Sequence, residues 1–413
     1  MQETFLTEFE KRGYFSQCTD HSGLNNLMSK GKIKAYIGFD CTAPSLHVGS
    51  LMQIMCLKLL QKYGHQPIVL LGGGTTLIGD PSGKEETRKI LSKKEIDGNI
   101  KSIEDTLKIF LKSKNSKTKP IFVNNYSWLS KLNYINFLRE IGKHFTINKM
   151  LTFDSVKLRL EREQSLSYME FNYMMLQAYD FYELSKRHKC ILQIGGSDQR
   201  GNIVNGTDLI RRKEKKITYG LTTPLLTLSS GAKMGKTEKG AVWLNKKMLS
   251  PYDYWQFWRN TDDKDVINFL KIFTDIEIEK IENFKNNNQD INKLKILLAN
   301  ETTAMLHGSK AAKDSELTAQ KTFGDKSIGK NLPIVKIKKS FIANGLNILD
   351  LVLKTNLASS KGEIRRMIKN NGLRINNEVV SDETKIINQS DFVKNNNLKV
   401  SHGKKQHVIL KII

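Results

Sequence analysis

Between about Lys32 and Asn245 the chain alternates short β-branched and apolar runs, KAYIGFD, QPIVLLGG, KPIFVNN and CILQIGG, with longer helical stretches such as GSLMQIMCLKLLQKYG and SYMEFNYMMLQAYDFYELSK. A run that is apolar at nearly every position has no solvent face, so it belongs to a strand covered on both sides. Helices between such strands supply the cover, and the order strand, helix, strand implies a parallel sheet with helices on both faces. The expected fold class is α/β, with a Rossmann-like parallel-sheet domain. Ligands of such sheets bind beyond the carboxyl ends of the strands. Reactive side chains are therefore sought directly after each run.

The rest of the chain changes character. Segments such as YDYWQFWRNT, KDVINFLKIFT and DINKLKILLANETTAMLHG carry helical periodicity without strand signals. The polar, Gly-punctuated stretch SKAAKDSELTAQKTFGDKSIGKNLP reads as a surface segment or linker. Beyond it, LASSKGEIRRMIKNNGLRINNEVVSD gives a serine cap, a helix bearing Lys361, Arg365, Arg366 and Lys369, an NNG turn and a short strand. The expected division is 1–248 for the sheet domain, 249–325 for a helical domain, 326–342 for a linker and 343–413 for a small basic α+β module.

Net charge is +24. Such an excess attracts polyanions; a general lysine bias of the source proteome is the alternative. No run of 18 apolar residues could span a bilayer, and no membrane partner is expected. The N-terminus lacks the basic start and apolar block of a secretory signal. Cys18, Cys41, Cys56 and Cys190 stand far apart without metal-ligand spacing, so neither a disulfide framework nor a bound protein metal is expected, and a cytoplasmic location is.

Four places could carry chemistry. In FDCTAPSLHVGSL, His47 and Gly49 precede a helix, whose N-terminus offers unpaired N–H groups to a phosphate; a structural histidine is the bland alternative. In LLGGGTTLIGDPSGKEETR the spacing fails the P-loop pattern, leaving Asp80 at a strand-end turn and Lys84 and Arg88 at i, i+4. SSGAKMGKTEKG is a glycine-rich loop carrying Lys233, Lys236, Thr237 and Lys239. It can close over a polyphosphate, or be a solvated charge run. In NYMMLQAYDFYEL, Tyr173, Gln177 and Asp180 form one polar stripe on an otherwise apolar helix, which lines either solvent or a pocket.

Taken together these residues resemble the bacterial tyrosyl-tRNA synthetase family of class I aminoacyl-tRNA synthetases. YIGFDCTAPSLHVGSL is similar to the HIGH-type motif and KMGKT to its KMSKS partner, while IGDPSGK, YMMLQAYD and IGGSDQ resemble blocks of the tyrosine branch. The resemblance implies a ligase that activates L-tyrosine with ATP and transfers it to the terminal adenosine of tRNA(Tyr). Tyr36 and Asp180 would bracket the substrate phenol. Asp80, Tyr173 and Gln177 would hold its ammonium, and Gln199 its carboxylate side. Gly38, Asp40, Gly49, Ser50, Gly196 and Asp198 would place the nucleotide. Thr42, His47, Lys84, Arg88, Lys233, Lys236 and Thr237 would neutralise the departing pyrophosphate. Attack of a carboxylate on the α-phosphorus needs alignment and charge neutralisation more than a general base, which fits a site rich in cations and hydroxyls. Magnesium would ride on the ATP phosphates.

A pocket built around a phenol excludes phenylalanine by leaving buried polar groups unpaired, for which this enzyme family is the established example, so no editing domain is implied. The family further implies a homodimer, a helical domain facing the anticodon, and an RNA-binding terminal domain shared with ribosomal protein S-four, with Lys361, Arg365, Arg366 and Lys369 as its tRNA contacts. Two positions depart from the pattern: Ser50 stands where the family often has His or Asn, and Arg200 where it has Trp. The alternatives are an RNA-binding paralogue without catalysis, and a ligase for tryptophan or a small nucleotidyl transferase.

Overall fold

The computed structural model describes residues 3–81, 91–229, 231, 234–237, 240–324, 332–342, 345–392, 397–403 and 406–412. The chain divides into two compact units, one formed by residues 1–249 and 256–306 and the other by 250–255 and 307–413.

In the first unit the strands β1 (Gln17–Cys18), β2 (Lys34–Asp40), β3 (Gln66–Gly72), β4 (Ile121–Asn124), β5 (Leu192–Gly196) and β6 (Tyr219–Thr223) form a sheet of order β1-β6-β5-β2-β3-β4. β2 to β6 are mutually parallel and β1 runs antiparallel along β6. The expected α/β architecture is the one observed. The helices of this unit include α1 (Phe5–Lys11), α2 (His21–Lys30), α3 (Leu51–Lys62), α4 (Lys93–Phe110), α5 (Tyr168–His188) and α6 (Arg200–Glu214). α4 and α5 each begin with a full capping box, Ser92 with Glu95 and Ser167 with Glu170, which satisfies first-turn N–H groups reciprocally. α5 is the helix predicted to be polar on one stripe only. Its Met174, Met175, Ala178 and Phe181 join Tyr36, Ile68 and Leu70 of the sheet in one buried cluster.

Four further helices, α7 (Pro251–Arg259), α8 (Val266–Phe273), α9 (Ile278–Asn286) and α10 (Ile291–His307), follow as the periodicity predicts. Within the first unit, Arg12 fastens the end of α8 to the sheet domain. Its guanidinium donates to the carbonyls of Lys271, Thr274 and Ile276 at 2.8, 2.9 and 3.1 Å while ion-pairing with buried Glu8 at 2.8 Å. Helix C-terminal carbonyls have no partner inside the helix, and a side-chain cation satisfies them.

Two sequence expectations are corrected in the second unit. SKAAKDSELTAQKTFG, read as a surface segment or linker, is the helix α11 (Ser309–Gly324). Its buried stripe is built from small residues, Ala312, Ser315 and Ala319, so the helix carries little large apolar signal despite good intrinsic propensity. Residues 334–337, placed in the linker, form β9 (Ile334–Ile337), which pairs in parallel with the chain's last strand. The other strands of this unit are β10 (Leu346–Asn347), β11 (Leu373–Ile375), β12 (Glu378–Val379), β13 (Ile386–Ile387), β14 (Asn397–His402) and β15 (Gln406–Ile412), the main sheet having the order β12-β11-β14-β15-β9. The helix α12 (Lys361–Lys369) is capped by Ser360, as read from the sequence, and buries Ile364, Met367 and Ile368 in the module's core. In the first unit, β7 (Lys236–Thr237) and β8 (Gly240–Ala241) make a short antiparallel ribbon from the KMGKT segment.

Candidate active site

The carboxyl ends of β2, β3 and β5 open into a cavity of about 330 Å³ that also receives the polar stripe of α5. All six residues expected around tyrosine line it: Tyr36, Asp80, Tyr173, Gln177, Asp180 and Gln199. So do the six expected around the nucleotide: Gly38, Asp40, Gly49, Ser50, Gly196 and Asp198.

At the cavity floor Asp180 is 1% exposed, and its two oxygens accept from Asn125 Nδ2 at 2.8 Å and Trp128 Nε1 at 2.7 Å. Burial disfavours the ionised form and pushes this carboxyl up to about 7, against the two hydrogen bonds, which favour ionisation. Tyr36 lines the same cavity. Its hydroxyl is buried and has no hydrogen-bond partner among the described residues, and burial followed by the neighbouring Asp180 charge holds its proton far more tightly than usual. A buried hydroxyl without a partner costs roughly 1–3 kcal/mol, which a ligand oxygen would recover. A protonated phenol as donor beside a carboxylate as acceptor is the complement of a second phenol.

A chain of side-chain amides builds the next layer. Gln199 Nε2 donates to Asp80 Oδ2 at 2.8 Å. Asn202, on the first turn of α6, donates through one Nδ2 to Gln177 Oε1 at 3.0 Å and to Gln199 Oε1 at 3.1 Å. The Tyr173 hydroxyl donates to Asp40 Oδ2 at 2.9 Å, while Thr75 Oγ1 donates to Asp40 Oδ1 at 2.8 Å. Asn125 Nδ2 in turn reaches Thr75 Oγ1 at 3.0 Å, so Asp40 and Asp180 share one network. Gly72 is required here: a Cβ on it would lie 2.3 Å from Asp40 Oδ1.

Asn125, Trp128, Thr75 and Asn202 were missed from the sequence. They follow strand ends or occupy a helix start; Thr75 lies in the glycine-rich stretch already singled out, and the other three lie in no stretch whose composition marks it. The signal available was the topological rule that residues just past β3, β4 and β5 converge.

His47 stands apart from the cavity lining, as does exposed Thr42. Its Nδ1 accepts from the Gly49 N–H at 3.0 Å and caps the turn Val48–Ser50, which assigns the N–H of the neutral ring to Nε2. The histidine is thus neither a core residue nor a simple pocket wall. It sits against the KMGKT backbone: a Cβ on Gly235, whose φ is +93°, would lie 2.6 Å from Gly49 N and 2.8 Å from His47 Nδ1. Backbone bonds from Val48 N to Val242 O and from Leu244 N to Leu46 O, both 2.9 Å, tie the His47 segment to the residues directly after the β7·β8 ribbon. For Lys236 and Thr237 the backbone lies in the β7·β8 ribbon; Lys84, Arg88, Lys233 and Lys239 lie outside the described residues. Arg200 is exposed at the start of α6.

Comparison with known proteins decides among ligases of this shape. Residues 28–324 match the family "tRNA synthetases class I (W and Y)", and residues 326–410 match "Tyrosine--tRNA ligase SYY-like C-terminal domain". The chain is 65% identical over 409 residues to the tyrosine–tRNA ligase of Pelagibacter ubique, covering 99% of each, and 51% identical to that of Rickettsia felis, covering 99% of this chain and 100% of the relative. This chain belongs to the tyrosine–tRNA ligases. Among solved structures, the truncated mitochondrial tyrosyl-tRNA synthetase of Aspergillus nidulans superposes with a TM-score of 0.70 at 30% identity, covering 78% of this chain and 95% of that one. As a tyrosine–tRNA ligase the chain uses ATP, tyrosine and tRNA as substrates. Among the described residues no helix is long and apolar enough to cross a membrane.

Proposed function

We propose that the cavity performs both half-reactions with the residue roles the sequence implies. Tyr36 donates to the tyrosine phenol oxygen and Asp180 accepts its proton-bearing hydroxyl. Asp80, Tyr173 and Gln177 hold the ammonium, and Gln199 steadies the carboxylate side. The carboxylate attacks the α-phosphorus of ATP placed by Gly38, Asp40, Gly49, Ser50, Gly196 and Asp198, and pyrophosphate leaves. Thr42, His47, Lys84, Arg88, Lys233, Lys236 and Thr237 neutralise the charge gathered on it. A hydroxyl of the tRNA's terminal adenosine then attacks the tyrosyl carbonyl and AMP departs. Magnesium, in this proposal, arrives on the ATP phosphates and needs no protein cage.

The observation that carries this reading is the pair at the cavity floor: a buried phenol lacking a partner beside a carboxylate fixed from behind by Asn125 and Trp128. In the terminal module Lys361, Arg365, Arg366 and Lys369 are all exposed on α12, and Arg365, Arg366 and Lys369 border a cleft of about 380 Å³. Lys361 and Arg365 are held by Asp350 and Glu383 at 2.6 and 3.3 Å. This surface would take the tRNA backbone, with residues 249–325 toward the anticodon, 326–342 as the linker shortened by β9, and 343–413 as the S-four-type domain.

Exposed Tyr134, Ile135, Ile147, Leu160 and Tyr168 support a homodimer built on that stretch of the first unit, and a cytoplasmic location completes the proposal. The test is exchange of labelled pyrophosphate into ATP with tyrosine, phenylalanine and tryptophan in parallel. Exchange with tyrosine alone is expected. Exchange with none, in a folded chain that still binds tRNA, would reduce the protein to a binding paralogue.

A further inference from the structure

The same sheet has a second edge, where the chain enters the parallel strands, and that edge is strongly basic. Each of β2 to β6 is reached through the last turn of a helix and a short connection, at 27–34, 59–66, 107–120, 185–191 and 211–218. These five segments hold seventeen Lys and Arg against one acidic residue, Glu214, more than twice the share expected from 66 Lys and Arg among 413 residues. Part of this is ordinary helix chemistry, since a cation near a helix C-terminus offsets roughly half a negative charge there. Five helix ends account for only a fraction of the excess. Lys62, Lys108, Arg187, Arg211 and Lys216 pair with Glu8, Glu104, Glu183, Asp208 and Glu214. The remaining twelve have no ion-pair partner among the described residues.

Two of the connections that carry the cations touch, and the backbone of the longest is held in place. A Cβ on Gly64 would lie 1.8 Å from Lys32 Nζ, so the connections into β2 and β3 touch. The loop KSKNSKTK before β4 is pinned from below: Gln61 Nε2 donates to Leu111 O at 3.2 Å and Thr118 O at 2.7 Å, and Gln66 Nε2 to Lys119 O at 3.0 Å. Lys112, Lys114, Lys117 and Lys119 are all exposed. Beside the loop a surface groove of about 460 Å³ is bordered by Lys112 and by three cations paired with acidic neighbours in the same lining, Arg12 and Lys62 with Glu8 and Lys58 with Asp275.

We infer that this amino edge is a second RNA-binding surface, distinct from the cavity and from the terminal module, which grips the phosphate backbone of an RNA without reading its bases. Five strands spaced about 4.8 Å apart span about 20 Å, a little over half a duplex turn. Compact, hydrated ammonium groups suit phosphate oxygens as point charges. An anionic membrane is the poorer fit, because Leu27, Ile109 and Ile217 are scattered singly and form no apolar face to insert.

The test uses the full chain and a fluorescein-labelled RNA duplex of sequence unrelated to tRNA, with affinity followed against salt. The quadruple Lys112, Lys114, Lys117 and Lys119→Gln variant is compared with wild type, and again in a background carrying Lys361, Arg365, Arg366 and Lys369→Gln. In both backgrounds it should weaken binding at 50 mM salt by about tenfold or more and flatten the log–log salt slope by about 3. Lys30, Lys32 and Lys215→Gln, on other connections of the same edge, should weaken it in the same sense, with tyrosine-dependent exchange unchanged throughout. Unchanged affinity and slope in the quadruple variant would overturn the inference. Loss of binding to phosphatidylserine vesicles with duplex binding intact would overturn it in favour of a membrane.

Discussion

At the carboxyl edge of the catalytic sheet the strands end in Asp40, Asp180's partners and the Gly195–Gly196 turn, and Asp40, Asp80 and Asp180 each accept from a named neighbour. At the amino edge, the same strands begin behind lysines that mostly have no ion-pair partner among the described residues. The first edge is concave, buried and largely hydrogen-bonded internally, so most polar atoms there have one orientation, the Tyr36 hydroxyl being left for a ligand. The second is exposed and redundant, so its charges act as a sum. The lesson is that one sheet can offer recognition by geometry at one end and recognition by field at the other, and mutations at the two ends should differ in kind.

The largest effect belongs to the buried end. Asp180→Ala leaves Trp128 Nε1 and Asn125 Nδ2 without their acceptor and removes the partner of the substrate phenol. Losing hydrogen bonds to a charged group and orphaning buried donors costs about 4 kcal/mol together, so kcat/KM for tyrosine in pyrophosphate exchange should fall roughly a thousandfold, with RNA duplex binding unaltered. A loss under tenfold would show that the floor of the cavity does not recognise the phenol.

Asn202→Asp sharpens the same contrast, because it changes no shape. A carboxylate has no N–H to give to Gln177 Oε1 and Gln199 Oε1, so both amides must turn, and Gln199 then presents oxygen to Asp80 Oδ2. The KM for tyrosine should rise between about tenfold and a hundredfold, in line with one or two unpaired buried polar groups, while kcat stays within about threefold. An equal fall in kcat with KM unmoved would place Asn202 in the chemistry of transfer and not in substrate positioning.

Acidity separates the two edges further. Because the folded-state value for Asp180 is raised to about 7, the free enzyme loses its phenol acceptor as pH falls through 7, and kcat/KM for tyrosine should drop about tenfold per unit below that point. The raised value also means that the folded protein keeps a proton that the unfolded chain has already released between the ordinary carboxylate range and 7, so this group's contribution to stability declines as pH rises through that window. Asp180→Asn should abolish both trends. Binding of duplex at the lysine edge should be equal at pH 6 and 7.5.

Much of the carboxyl edge was legible in the sequence, because its residues sit in short segments whose composition departs from their surroundings: a histidine beside glycines, an acid after a glycine turn, three polar residues on an apolar helix. Asn125, Trp128 and Asn202 were not legible. They act through residues distant in sequence, and an asparagine or tryptophan after a strand looks like any turn or core residue until the topology brings Asp180 to it. α11 escaped for the complementary reason, since a stripe of alanine and serine buries a helix without announcing it. The basic edge was visible only as net charge. Seventeen cations spread over nearly two hundred residues become one feature once the parallel order collects the strand entrances on one side.

The smallest expected effect tests whether those cations are held against their own repulsion. Lys112, Lys114, Lys117 and Lys119 project from a loop whose backbone is tied by Gln61 and Gln66, so they cannot spread apart by unfolding the loop alone. Exposed charges interact weakly in water, and a pair is worth well under about 1 kcal/mol; replacing four by glutamine should raise the thermal midpoint by only about 1–2 °C at 20 mM salt. At 0.5 M salt the screening length shrinks to several ångströms, and the gain should vanish. A midpoint that falls instead, at both salt concentrations, would mean that these side chains pack or pair within the fold, and a surface kept for structural reasons has no need of a polyanion to explain it.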